Sequence, residues 1–77
     1  MEELLKEMIQ AIVDKPDEVE VNVVDTEMNK IYELRVGDGD VGKVIGKRGK
    51  NIMAIRTWLS AASAKAKDKR TLLEVIE

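Results

Sequence analysis

The 77-residue chain has no cysteine, no histidine and no phenylalanine, and only one proline, one tryptophan and one tyrosine. Without cysteine it forms no disulfides, and without cysteine or histidine the usual ligand sets for zinc, haem and iron–sulfur clusters cannot be assembled. The same two absences exclude nucleophilic catalysis of the Cys-His and Ser-His-Asp kinds, and no cofactor or metal is expected. No apolar run approaches the roughly 20 residues of a membrane-spanning helix. The acidic start, with Glu2 and Glu3, lacks the basic opening and apolar centre of a secretory signal. The expected location is the cytoplasm.

What remains is a chain that is 44% hydrophobic and 36% charged, the balance of a folded domain and not of a disordered tail. Its length suits one domain spanning residues 1–77, and a domain of this size buries only about 60% of its unfolded surface, so partner surfaces can matter to it. The net charge of −2 hides a division: residues 1–40 carry 12 acids and 4 bases, whereas residues 41–77 carry 3 acids and 9 bases. The first part is therefore at −8 and the second at +6. Such asymmetry predicts a protein with one positive face.

Leu4, Leu5, Met8, Ile9, Ile12 and Val13 recur at helical spacing, with Glu2, Glu3, Lys6, Glu7 and Gln10 on the opposite side. This is an amphipathic helix that Asp14, Lys15 and Pro16 should end, since proline disfavours helical backbone at the residue before it. From Val19 the period changes to two, and Val19, Val21 and Val23 alternate with Glu20 and Asn22 in a strand over 19–24. A polar turn over 25–29 leads to a second strand over 31–36 carrying Ile31, Tyr32, Leu34 and Val36. Gly37, Asp38, Gly39 and Asp40 stop it, with Asp40 placed to cap a short helix over 41–45. After Gly49 a long helix presents Ile52, Ile55, Leu59, Ala62 and Ala66 on one face, the lysine-rich segment 65–70 closes it, and 71–76 forms a last strand. Glu20, Glu74 and Glu77 suit strands at sheet edges.

The hairpin is antiparallel, while strands separated by about 33 residues of helix must be parallel if adjacent, through a right-handed crossover. The expected fold is α+β, a two-layer sandwich in α-β-β-α-α-β order: a three-stranded mixed sheet covered on one face by three helices, its central strand the one over 31–36.

The segment 45–52, IGKRGKNI, is the feature around which the chain is organised. Gly46 and Gly49 can adopt backbone conformations closed to other residues and let another backbone approach closely. A helix starting after Gly49 turns its unpaired first-turn amides and positive dipole end toward the same place, where Lys47 and Arg48 add full charges. Glycine, cation, cation, glycine at a helix entry reads as a clamp on a phosphate-bearing backbone. It also reads as an ordinary tight turn whose cations are solvated, since glycine pairs punctuate loops generally.

The motif VGKVIGKRGKNI, residues 41–52, resembles the VIGxxGxxI signature of the KH family of RNA-binding domains, with Val44, Ile45, Gly46, Gly49 and Ile52 in the matching places. The element order is similar to the type II arrangement from end to end, and the chain looks most like the small bacterial single-KH-domain proteins of the KhpA type, which carry a comparable Ile55-Arg56-Thr57 segment. The resemblance implies a groove for about four unpaired nucleotides. Gly46, Lys47, Arg48 and Gly49 would hold phosphates, Val44, Ile45 and Ile52 would touch base and sugar, and Lys43, Lys50, Asn51 and Arg56 would surround them. For most of their surface, Ile45 and Ile52 read first as core residues. With one Trp and one Tyr the chain lacks aromatic platforms for base stacking, so low sequence specificity is expected.

The leading expectation is non-catalytic binding of single-stranded RNA. The alternative is a protein-interaction module whose partner supplies most of the RNA affinity, because the resemblance also implies a homodimer or pairing with another KH-containing protein. Met53, opposite the buried face of its helix, and Trp58, beside that face, would mark such a contact if exposed. An NTPase is disfavoured, because a P-loop needs GxxxxGK followed by Ser or Thr, and the spacing here is GxxG.

Overall fold

The computed structural model describes residues 1–66 and 69–76; Lys67 and Asp68 of the lysine-rich segment, and Glu77, lie outside the described residues. The elements are helix α1 (Glu2–Gln10), strands β1 (Glu20–Asp25) and β2 (Asn29–Arg35), helices α2 (Val41–Ile45) and α3 (Lys50–Lys65), and strand β3 (Arg70–Ile76). Two 3-10 turns, Pro16–Glu18 and Lys47–Gly49, join them. The sheet order is β1-β2-β3, antiparallel between β1 and β2 and parallel between β2 and β3. The expected α+β architecture and its central strand are both present.

Register explains which side chains are buried. Val21, Leu34 and Val75 form one row across the sheet and Val23, Tyr32 and Leu73 the next. These rows face the helices, where Leu5 and Ile9 of α1, Val44 of α2 and Ile52, Ile55 and Leu59 of α3 complete the core around Tyr32, Leu34 and Leu73. The other face carries the row Val24, Ile31 and Leu72 and the polar row Asn22, Glu33 and Glu74, with an Asn22 Nδ2 to Glu33 Oε1 bond of 3.0 Å. Leu73 is therefore buried while Leu72 and Ile76, on β3 with it, are only half-buried.

Three boundaries differ from the sequence reading. Helix α1 stops at Gln10, not at residues 14–16, and the chain from Ala11 turns so that the amides of Asp14 and Lys15 reach the Asp40 carboxylate. Ile12, past the helix end, is exposed, as is Leu4 within the helix, which leaves Leu5 and Ile9 as the buried stripe. On α3 the buried face continues from Leu59 to Ser63, one full step of four, and not to Ala66, which is exposed past the helix end. Ser63 is accommodated because its hydroxyl donates to Thr71 Oγ1 at 3.3 Å on the neighbouring strand. At the hairpin, the Thr26 amide donates to the Asn29 carbonyl at 2.8 Å and the Asn29 amide to Thr26 Oγ1 at 2.9 Å, closing a three-residue loop.

Candidate functional site

Helix α2 is only five residues long, and each of its ends is tied by a side-chain hydrogen bond to another part of the chain. Asp40 precedes it but does not cap it. Its backbone is at φ −91°, ψ −13°, away from the extended conformation from which a capping side chain reaches back to the first-turn amides. The carboxylate, 2% exposed, instead accepts from the amides of Lys15 (2.9 Å) and Asp14 (3.3 Å). The expected cap is thus replaced by a tether between α2 and the α1–β1 connection.

At the other end the chain leaves helical conformation at Gly46, with φ 76° and ψ 171°, a region open in practice to glycine alone. Arg48 (φ 58°, ψ 26°) and Gly49 (φ 74°, ψ 15°) follow in left-handed conformation, and the Lys50 amide donates to the Lys47 carbonyl. Residues 47–50 therefore form a type I′ turn, with Arg48 the one non-glycine residue at positive φ among those described. Since the Gly46 amide is bonded to Gly42 and the Gly49 amide to Gly46, only the amides of Lys47 and Arg48 in this loop lack an intramolecular partner among the described residues.

The charged side chains gather as the motif suggested, but not all are equally available. Lys47, Arg48 and Lys50 are exposed and make no ion pair among the described residues. Lys43 is paired with Asp14 at 3.2 Å, and Arg56 Nη2 lies 3.4 Å from the Leu73 carbonyl on β3. Of the three aliphatic residues, Val44 is fully buried and Ile52 nearly so, both in the core, whereas Ile45 is 39% exposed beside the loop. Asn51 is exposed, yet its side-chain amide is already bonded, to the Lys43 carbonyl at 2.9 Å.

A cleft of about 410 Å³ runs between α3 and β3, lined among others by Arg56, Leu59, Ser60, Arg70 and Leu73. Its volume lies in the range of clefts that hold small ligands. Arg56 sits seven residues beyond Gly49, about 10 Å along the helix axis, so the cleft lies on the same helix as the glycine loop. Arg70 and Ser60 were not singled out from the sequence. The available signal was topological: a parallel return strand must begin beside the C-terminal half of the crossover helix, which places Arg70 next to residues 60 and 63.

Among the described residues there is no group of three or more side chains able to hold a metal ion, and no helix long and apolar enough to cross a membrane. An antiparallel hairpin followed by helix, GxxG loop, helix and a parallel return strand defines a KH domain of type II. Residues 2–75 match the family model described as KhpA/KhpB, KH domain, and the chain belongs to that family. It is 47% identical over 75 residues to an RNA-binding protein KhpA of Borreliella burgdorferi, covering 97% of this chain and 90% of that protein. Against the RNA-binding proteins KhpA of Caldanaerobacter subterraneus and Clostridium acetobutylicum, identity is 49% and 46% over 76 residues, covering 99% of this chain and all of each relative.

Proposed function

We propose that the chain binds single-stranded RNA without catalysing a reaction, gripping the sugar-phosphate backbone with the GKRG loop and seating bases in the α3–β3 cleft. The observation that carries this reading is that Lys47 and Arg48 offer both their cationic side chains and their two unpartnered amides from one exposed turn at the start of α3. Amides and cations converging on one point form a phosphate site. The relatives named for RNA binding support the same ligand class. Ile45 is the surface aliphatic residue beside the clamp, Lys50 adds an exposed cation at the start of α3, and Arg56 and Arg70 carry charge along the cleft. Without aromatic platforms, affinity rests on charge, shape and aliphatic contact, so sequence discrimination is low.

Titration of a short unstructured RNA at several salt concentrations tests the clamp. If two to four phosphates are neutralised, log affinity falls against log salt with a slope of about −1.5 to −3. Changing Lys47 and Arg48 together to Asp abolishes binding while the fold persists, since both side chains are solvated and Asp tolerates left-handed backbone. A slope near zero, or undiminished binding by the folded double variant, would refute the clamp.

A second reading, association with a second copy or with another KH-containing protein, is favoured by the outer side of α3. From Thr57 to Ala64 that helix carries no charge, and Met53, 64% exposed, lies one turn before it. An uncharged exposed helix face suits a protein contact, and it borders the cleft, since Ser60 within this stretch lines it and Met53 stands one turn from Arg56.

A further inference from the structure

Asn51 stands in the first turn of α3, five residues past the glycine that ends α2, and its side chain reaches back across the loop. A helix leaves its last carbonyls without partners. In α2 the Gly42 carbonyl is satisfied by the Gly46 amide, but the amide that would serve Lys43 belongs to Lys47, which the turn at Gly46 carries away. Asn51 Nδ2 takes that place, donating to the Lys43 carbonyl at 2.9 Å. The same side chain fills the space beside Gly46, since a Cβ built there would fall 2.6 Å from Asn51 Cγ and 2.8 Å from its Cβ. One amide therefore closes the end of α2, ties it to the start of α3 and packs against the glycine between them.

We infer that Asn51 is a positioning residue for RNA binding: it sets the geometry in which the Lys47 and Arg48 amides face outward, and does not itself contact the nucleic acid. This rests on the clamp reading above and assigns a different role to a residue that the motif alone would place on the RNA. One of its two side-chain N–H donors is committed to the Lys43 carbonyl, which fixes the carboxamide within the protein, whereas the backbone amides of Lys47 and Arg48 are unbonded among the described residues. Because Asn51 is uncharged, its loss weakens binding without altering the number of ions released.

The test uses the full ¹⁵N-labelled chain, an eight-nucleotide oligouridylate and the variant Asn51→Leu, which keeps approximate size but cannot donate. In the parent, the Asn51 side-chain proton bonded to the Lys43 carbonyl is expected to be protected from solvent exchange and to hold its chemical shift as the oligonucleotide is added, while the Lys47 and Arg48 backbone amides shift. In Asn51→Leu, the loop amides shift before any RNA is present, affinity drops about 3- to 10-fold, the worth of one neutral hydrogen bond, and the salt slope stays that of the parent. Asn51 side-chain signals that move to saturation with the RNA would overturn the inference, and so would unchanged affinity in the variant. The side-chain measurement needs no variant, so it decides the matter even if Asn51→Leu does not fold. Failure of the clamp reading is seen separately: the Lys47→Asp, Arg48→Asp double variant would bind as the parent does with Asn51 intact.

Discussion

The carboxylate of Asp40 accepts the backbone amide of Lys15 at 2.9 Å, across 25 residues of chain. Its other oxygen takes the Asp14 amide, so a single buried side chain joins the start of α2 to the turn that leaves α1. Asp40→Asn keeps the shape but sets an NH₂ donor against one of the two backbone amides. Leaving a buried polar pair unmade costs about 1–3 kcal/mol, and in a domain of this size each kcal/mol lowers the melting temperature by roughly 4–8 °C. Denaturant unfolding of the variant checks this, and a loss below about 0.5 kcal/mol would show that the tether contributes little.

The two glycines of the loop are not equivalent. Gly46 lies in a glycine-only region and has the Asn51 side chain where a Cβ would go. Gly49 is left-handed with its nearest prospective Cβ neighbour at 4.0 Å, the Ile52 methyl group. Gly49→Ala should therefore cost only the left-handed penalty of about 1–2 kcal/mol, whereas Gly46→Ala adds steric conflict and costs more. Gly49→Asn should be milder still, asparagine being tolerant of left-handed backbone. Melting curves of the three variants give the order, and equal losses for the two alanine variants would contradict the geometry.

The sheet was legible because its signals are local and periodic. Val21 and Val23, then Tyr32 and Leu34, alternate as half-buried strands do, and the long helical interval before Leu73 is what a parallel return requires. The glycine loop was legible because its residue types are rare in combination. What the sequence could not reveal depends on partners distant along the chain. Asp40 has the composition of a helix cap, and only the folded position of Lys15 makes it a tether. Val44 and Ile45 are adjacent and equally aliphatic, yet one is wholly buried and the other faces solvent, because α2 is a single turn whose orientation is set by Asp40 and Asn51. Ser63 took the place expected for an alanine because Thr71 supplies a hydroxyl partner.

Met53 separates the two functional readings. It projects from α3 with most of its surface in water, outside the core that Ile52 and Ile55 enter. Met53→Glu should leave the melting temperature of the monomer within a few degrees, since exposed substitutions usually change stability by no more than about 0.5 kcal/mol. If the outer face of α3 is a contact between copies, sedimentation shows the variant shifted to a smaller species at concentrations where the parent self-associates. An unshifted distribution would remove this face from the interface.

Arg48 gives the case in which stability and binding should move in opposite directions. Its backbone is left-handed, at φ 58° and ψ 26°, and a non-glycine residue there carries a penalty of about 1–2 kcal/mol. Strain of this kind persists where function needs the side chain, and here the guanidinium stands on the turn that presents two free amides. Arg48→Gly removes the strain, partly offset by the greater freedom of glycine in the unfolded chain, about 0.5–1 kcal/mol. The variant should therefore melt a few degrees above the parent, by the conversion of roughly 4–8 °C per kcal/mol. It should also bind RNA more weakly, with a salt slope shallower by about 0.7, because one phosphate fewer is neutralised. A lower melting temperature would show that no strain is stored at this position, and an unchanged slope would show that Arg48 does not neutralise a phosphate.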